Sequence, residues 1–180
     1  MIPEKNVFLT TGYGDELCFW QPGSGTQPVG TIRTGEKIFY SDYQNGIFLA
    51  GCSQEKIIFS DVRSNFNARS TLDSTDLGKG SQLNTVKLNP SGTQCGFGSI
   101  DGRVNIAEIR VSPNGEYTMK TNITFKANKQ DLGHNTILYP VNTVDFNRRN
   151  DKWALTGGSD GHMYTWDYGV KNKIRSFSFG

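Results

Sequence analysis

Four stretches of this 180-residue chain repeat one pattern, and that repetition limits the fold more than any single motif does. Each stretch runs from β-rich residues, through a glycine-containing turn with an acidic residue, into a second aromatic or β-branched run. Residues 7–20 read VFLTTGYGDELCFW, 47–61 read IFLAGCSQEKIIFSD, 95–108 read CGFGSIDGRVNIAE and 153–167 read WALTGGSDGHMYTWD. Superposing them brings Trp20, Ser60, Ala107 and Trp166 into register, at steps of 40, 47 and 59 residues. The excess length falls in polar, glycine- or asparagine-containing stretches at 73–81 and 126–136, which read as loops.

The turns explain themselves physically. Asp101-Gly102 and Asp160-Gly161 supply the φ > 0 positions a tight hairpin requires. Beyond them, 104–106 and 163–166 alternate sides as strands should. Further strands are expected upstream at 36–42, 83–88 and 140–146, and downstream at 28–33, 68–72, 118–125 and 173–179. Four strands per unit at this spacing predict an all-β chain, a WD-repeat β-propeller of about four blades. The approximate blades are 1–35, 36–80, 81–130 and 131–180. Only Trp166-Asp167 keeps the Trp-Asp pair intact. The first unit lacks its upstream strand, and four blades sit at the low limit for closure. An open arc is therefore expected, belonging to a larger propeller or closed by a second chain. Trp20 and Trp166 should be at least half buried between strands.

Composition removes other classes. Charged residues make up 20%, too few for a disordered polyelectrolyte, and no apolar run approaches 18 residues. The start of the chain has no signal-like apolar stretch. Cys18, Cys52 and Cys95 are odd in number and widely spaced, which suits reduced, buried, intracellular thiols. The Asn122-Ile-Thr124 sequon then carries little meaning. His134 and His162 have no Cys or carboxylate at ligand spacing, so neither a metal nor a cofactor is expected. The run Gly78-Lys-Gly-Ser81 fails as a phosphate loop, because Asp73 stands where its leading Gly should be. Asp101 and Asp160 occupy one position of a repeated turn and read as structural rather than as an acid–base pair. An enzyme is not expected.

Three segments together carry a more specific signal. They are Gly98-Ser-Ile-Asp-Gly-Arg-Val104, Tyr139-Pro-Val-Asn142, and Thr156-Gly-Gly-Ser-Asp-Gly161 followed by Trp166-Asp167. In these the chain resembles the WD-repeat family of the nuclear-pore mRNA-export factor and its paralogue, the mitotic-checkpoint kinetochore propeller. The resemblance implies blades three to six of a seven-bladed ring. It departs from the family at Phe125-Lys-Ala-Asn-Lys129, where Phe-Lys/Arg-Cys-His-Arg is usual. It departs again at Lys79-Gly-Ser-Gln-Leu-Asn84, and at Gly12-Tyr-Gly-Asp15 in place of Gly-Ser-Trp-Asp. Gly98 before Ser99, and Phe19-Trp20, favour the export member.

What the resemblance implies about function is an adaptor role. In the family two arginines grip paired glutamates of an acidic GLEBS-type segment, carried by an FG nucleoporin or by a checkpoint kinase. The first maps onto Arg103, the second onto Arg149, or onto Arg148 if the loop shifts by one residue. A guanidinium fork suits a carboxylate in bidentate fashion. The bland alternative is that Arg103 caps a hairpin and Arg148 and Arg149 are solvated. The implied place of action is the nucleus and nuclear pore, with the cytoplasm as a further location. Residues 101–180 hold 11 Lys/Arg against 8 Asp/Glu, so a weak RNA contact through Lys126, Lys129 and Lys152, beside Arg148 and Arg149, is the added expectation. Neither a membrane nor a small-molecule substrate is expected. A generic WD-repeat scaffold is the remaining reading.

Overall fold

The computed structural model describes Ile2 and residues 6–61, 69–73, 81–113 and 117–179. Within them every strand pairs antiparallel with a neighbour in sequence. Strands β1 (Phe8–Thr11), β2 (Glu16–Trp20) and β3 (Gly30–Arg33) form the first sheet. The second holds β4 (Ile38–Gln44), β5 (Ile47–Cys52), β6 (Lys56–Asp61) and β7 (Arg69–Asp73). The third holds β8 (Leu83–Leu88), β9 (Gln94–Ser99), β10 (Arg103–Val111) and β11 (Tyr117–Lys126). A hairpin of β12 (Lys129–Leu132) and β13 (Asn135–Leu138) intervenes. The last sheet holds β14 (Val141–Phe146), β15 (Trp153–Gly158), β16 (His162–Asp167) and β17 (Asn172–Ser178). The fold is all-β: the described residues contain one short 3-10 turn, Ser53–Glu55, and no α-helix. No helix among them is long and apolar enough to cross a membrane.

Burial follows the alternation that strands impose. Leu17 and Phe19 of β2 point at Phe48, Ala50 and Ile58 of the second sheet. Leu49, Ile57 and Phe59 pack on Leu83, Val86 and Phe97 of the third. Val104, Ile106 and Ile123 pack on Val141, Val144 and Trp166 of the fourth. Three apolar layers thus join consecutive sheets, the sheet-on-sheet arrangement of a propeller. Among the described residues the first sheet has three strands. Ile2 is buried and forms a bridge to Val7, just before β1.

The repeat register is visible in hydrogen bonds. Trp20 donates its indole N–H to Thr10 Oγ1 at 2.7 Å, and Trp166 donates to Thr156 Oγ1 at 2.9 Å, the same ten-residue offset in both. Trp166 is buried and Trp20 more than half buried. Where the register position holds Ser60 or Ala107, the residue ten earlier is Ala50 or Phe97, which cannot accept. Ser60 Oγ is accordingly buried with no partner among the described residues. Cys52 and Cys95 are buried thiols, and burial pushes Cys52 up to about 11 and Cys95 well above the ordinary range. Cys18 is only partly buried.

Two details differ from the sequence expectation. Residues 126–136, read as a loop, end β11 and build most of the β12–β13 hairpin. The strand expected at 36–42 runs to Gln44, because Asn45 (φ 47°) and Gly46 (φ 80°) form the two-residue turn into β5. Gly98 marks a close approach between sheets. A Cβ there would lie 2.6 Å from Thr85 Cγ2 and 2.8 Å from Val141 Cγ1. Gly98→Val is therefore expected to destabilise the chain by about 1–3 kcal/mol through overpacking. Thermal or urea unfolding checks it; unchanged stability would mean the third and fourth sheets do not meet as described.

Candidate peptide-binding face

Strand register sorts the candidate residues onto two ends of the sheets. Leu83 pairs with Ser99, Arg103 with Lys126, and Val141 with Gly158, which defines one end, here the upper. Leu88 pairs with Cys95 and Phe146 with Ala154, which defines the lower. Arg103, Lys126 and Lys129 lie at the upper end. Arg148, Arg149 and Lys152 lie in the β14–β15 turn at the lower end, and Arg148 lines a pocket of about 210 Å³ there with Asn89 and Ser91. Strand β14, six residues long, separates them by roughly 17 Å at about 3.3 Å per residue. The structure does not bring Arg103 together with Arg148 or Arg149. Nor does it bring Lys152 together with Lys126 and Lys129, so these cations line no single groove.

The Arg103 turn is built around Asp101. Ser81 Oγ donates to Asp101 Oδ2 at 3.0 Å, and Ser99 Oγ donates to the other oxygen. Arg103 Nε stands 3.3 Å from Oδ2, and its side chain keeps 36% exposure. Arg103 N–H donates to Ser99 Oγ at 3.2 Å, closing the turn. Gly102 is required twice over. It sits at φ +77°, and a Cβ would come within 2.9 Å of the Asn128 carbonyl oxygen and 3.0 Å of that of Tyr139. Ala127 N–H donates to the Gly102 carbonyl at 2.8 Å, so the turn is pinned to the segment bearing Lys126 and Lys129.

Asp160 anchors the equivalent turn in the next blade. It accepts from Asn128 Nδ2 at 2.9 Å, from His162 N–H at 3.1 Å and from the Tyr164 hydroxyl at 3.0 Å. Burial first, and then the hydrogen bond to Asp160 and its charge, push the Tyr164 phenol up to about 12. Asn128 is fully buried, against Gly158, where any Cβ would strike its side chain. Both turn aspartates are structural acceptors.

The inner strands lock the upper end together. Tyr40 Oη donates to Asn84 Oδ1 at 2.9 Å, and Asn84 Nδ2 donates to Asn142 Oδ1 at 3.0 Å. Asn142 Nδ2 donates in turn to Ser159 Oγ at 3.0 Å. This chain of four side chains ties the second, third and fourth sheets. A pocket of about 390 Å³ lined by Tyr13, Phe39 and Leu83 opens at the same end. Lys129 Nζ holds Asp131 at 2.7 Å, and with Thr136 it keeps that carboxyl below its ordinary range.

Consecutive antiparallel meanders, Asp-centred turns and the repeated Trp–Thr pair, buried at Trp166, define a WD-repeat β-propeller protein. In sequence the chain is similar to the Bub3 and Gle2/Rae1 proteins. It is 28% identical over 171 residues to the spindle assembly checkpoint protein bub3 of Schizosaccharomyces pombe, covering 95% of this chain and 51% of that protein. It is 26% identical over 179 residues to the Rae1 protein of Drosophila melanogaster, covering 97% and 49%. Against the mRNA export factor GLE2 of Chaetomium thermophilum it is 22% identical over 170 residues, covering 94% and 45%. A chain in a crystal structure of the mitotic checkpoint complex shares the fold, with TM-score 0.72 at 16% identity, covering 96% of this chain and 49% of that one. The chain spans about half the length of the relatives it matches. No protein-family model matches it. Checkpoint and export names occur at similar identities, so the preference for export finds no support there.

Proposed function

We propose that this chain is a non-enzymatic adaptor whose upper end receives an acidic peptide segment on Arg103, Lys126 and Lys129. The observation that carries the reading is the register pairing of Arg103 with Lys126, on a turn pinned by Asp101 and Gly102. A cation held by its neighbours loses little freedom on binding, which is how rigid elements make a charged site effective. Lys126 and Lys129 take the place that sequence resemblance assigns to Arg148 and Arg149, which a short peptide on Arg103 does not reach. The segment is of the acidic GLEBS type, and the setting is nuclear: mRNA export at the pore, or the spindle checkpoint.

Recovery of partners from nuclear lysate on the immobilised chain, followed by peptide identification, tests this. An acidic segment of an FG nucleoporin supports export, and one from a checkpoint kinase supports the checkpoint. Recovery of neither, from a folded protein, contradicts the adaptor reading.

A further inference from the structure

The hairpin of β12 and β13 stands apart from the four sheets. Its base is fixed where Tyr139 N–H donates at 3.0 Å to the carbonyl of Asn128, whose side chain donates to Asp160. Its two strands are braced across by Thr136 Oγ1 donating to Asp131 Oδ1 at 2.7 Å. Beyond that base, among the described residues, no backbone group of 130–137 bonds outside the hairpin. Every residue of β12 and β13 except Leu138 is exposed. A two-stranded ribbon is marginal alone and gains from a third strand.

The two free edges differ. Strand β12 carries Lys129 and Asp131, the kind of charge that blunts an edge against pairing. Strand β13 reads Asn-Thr-Ile-Leu, with no charge, no proline and no register shift. Ile137 is 41% exposed on it. Its last residue, Leu138, lies against Gly102, so the unblunted edge ends beside the Arg103 turn.

We propose that β13 takes an extended acidic segment as an added strand, its backbone pairing with 135–138 while its carboxylates reach Arg103 and Lys126. This rests on the adaptor reading above and names its binding mode. Main-chain bonds to a sheet edge supply affinity, and side chains at alternate positions supply selectivity. Charge complementarity selects the occupant: Arg103 and Lys126 lie at the Leu138 end of the edge, and β13 itself offers no charge to repel a glutamate.

The test uses a twelve-residue glutamate-rich peptide and the full 180-residue chain. Calorimetry first establishes binding, and amide hydrogen exchange is then read with and without saturating peptide. Slowing of exchange by roughly tenfold or more is expected at the amides of Thr136 and Leu138, which the register turns away from β12, since each bonded amide must open before it exchanges. Two peptides N-methylated at alternate odd or alternate even residues separate the modes further. An added strand uses one row of amides toward β13, so one peptide weakens roughly tenfold and the other far less. Binding with unchanged β13 exchange and equal affinities of both methylated peptides overturns the added strand and leaves the adaptor reading standing. Absence of binding overturns both. Protection of β13 that grows with protein concentration and without peptide would assign the edge to a second copy instead, and so overturn the proposal.

Discussion

Arg103→Ala is expected to cost a glutamate-rich peptide roughly 2–5 kcal/mol of affinity, because a carboxylate docked there is left desolvated and unpaired. The turn itself should survive, since Ser81 and Ser99 still hold Asp101. Unfolding measurements should therefore differ little from the parent chain. Arg148→Ala and Arg149→Ala are the controls. They lie at the other end of β14, and their effect on the peptide should stay within about 0–1 kcal/mol, as for exposed charges. Equal losses at both ends would place the peptide elsewhere.

The second large effect concerns the end sheets. Phe8 is 47% exposed on the first sheet, and Trp153 and Phe177 are 40% and 42% exposed on the last. By register, Trp153 and Leu155 share a face of the fourth sheet with Thr165, and Met163 lies opposite Phe177. Between the other sheets, equivalent faces are buried in continuous apolar layers. Covering one such aromatic side chain is worth about 1.5–3 kcal/mol, so these 180 residues on their own should self-associate. Light scattering at rising concentration should exceed the 20.0 kDa of one chain. Trp153→Asp with Phe177→Asp should return it toward that mass. A monodisperse monomer of the unaltered chain would contradict the uncovered faces.

Much of the fold was legible because strand and turn chemistry are local. Val-Asn-Ile and Met-Tyr-Thr-Trp alternate, and Asp-Gly forces a tight hairpin, whatever the tertiary setting. The β12–β13 hairpin was not legible. Its strands are bridged by Thr136 on Asp131, which Lys129 of the same strand also holds, with no buried face to impose a period of two. Asn128 hides in the same way: a buried asparagine looks like any loop residue until Asp160, 32 residues on, lies against it. The departure from His at that position was the available signal. Arg103 was singled out by the family resemblance, together with Arg149 and Arg148. The separation of those two from Arg103 was not legible. Sequence proximity to Tyr139–Asn142 suggests a neighbourhood that β14 then carries to the opposite end.

Docking of an acidic segment at the upper end of the third and fourth sheets is open to one decisive measurement. Backbone amide chemical shifts of the isotopically labelled chain, followed while a glutamate-rich peptide is titrated in, address it directly. Shifts are expected at 99–103, at Lys126 and Lys129, and along 135–138, with 147–152 unmoved. Shifts confined to 147–152, or none at saturating peptide, would contradict it.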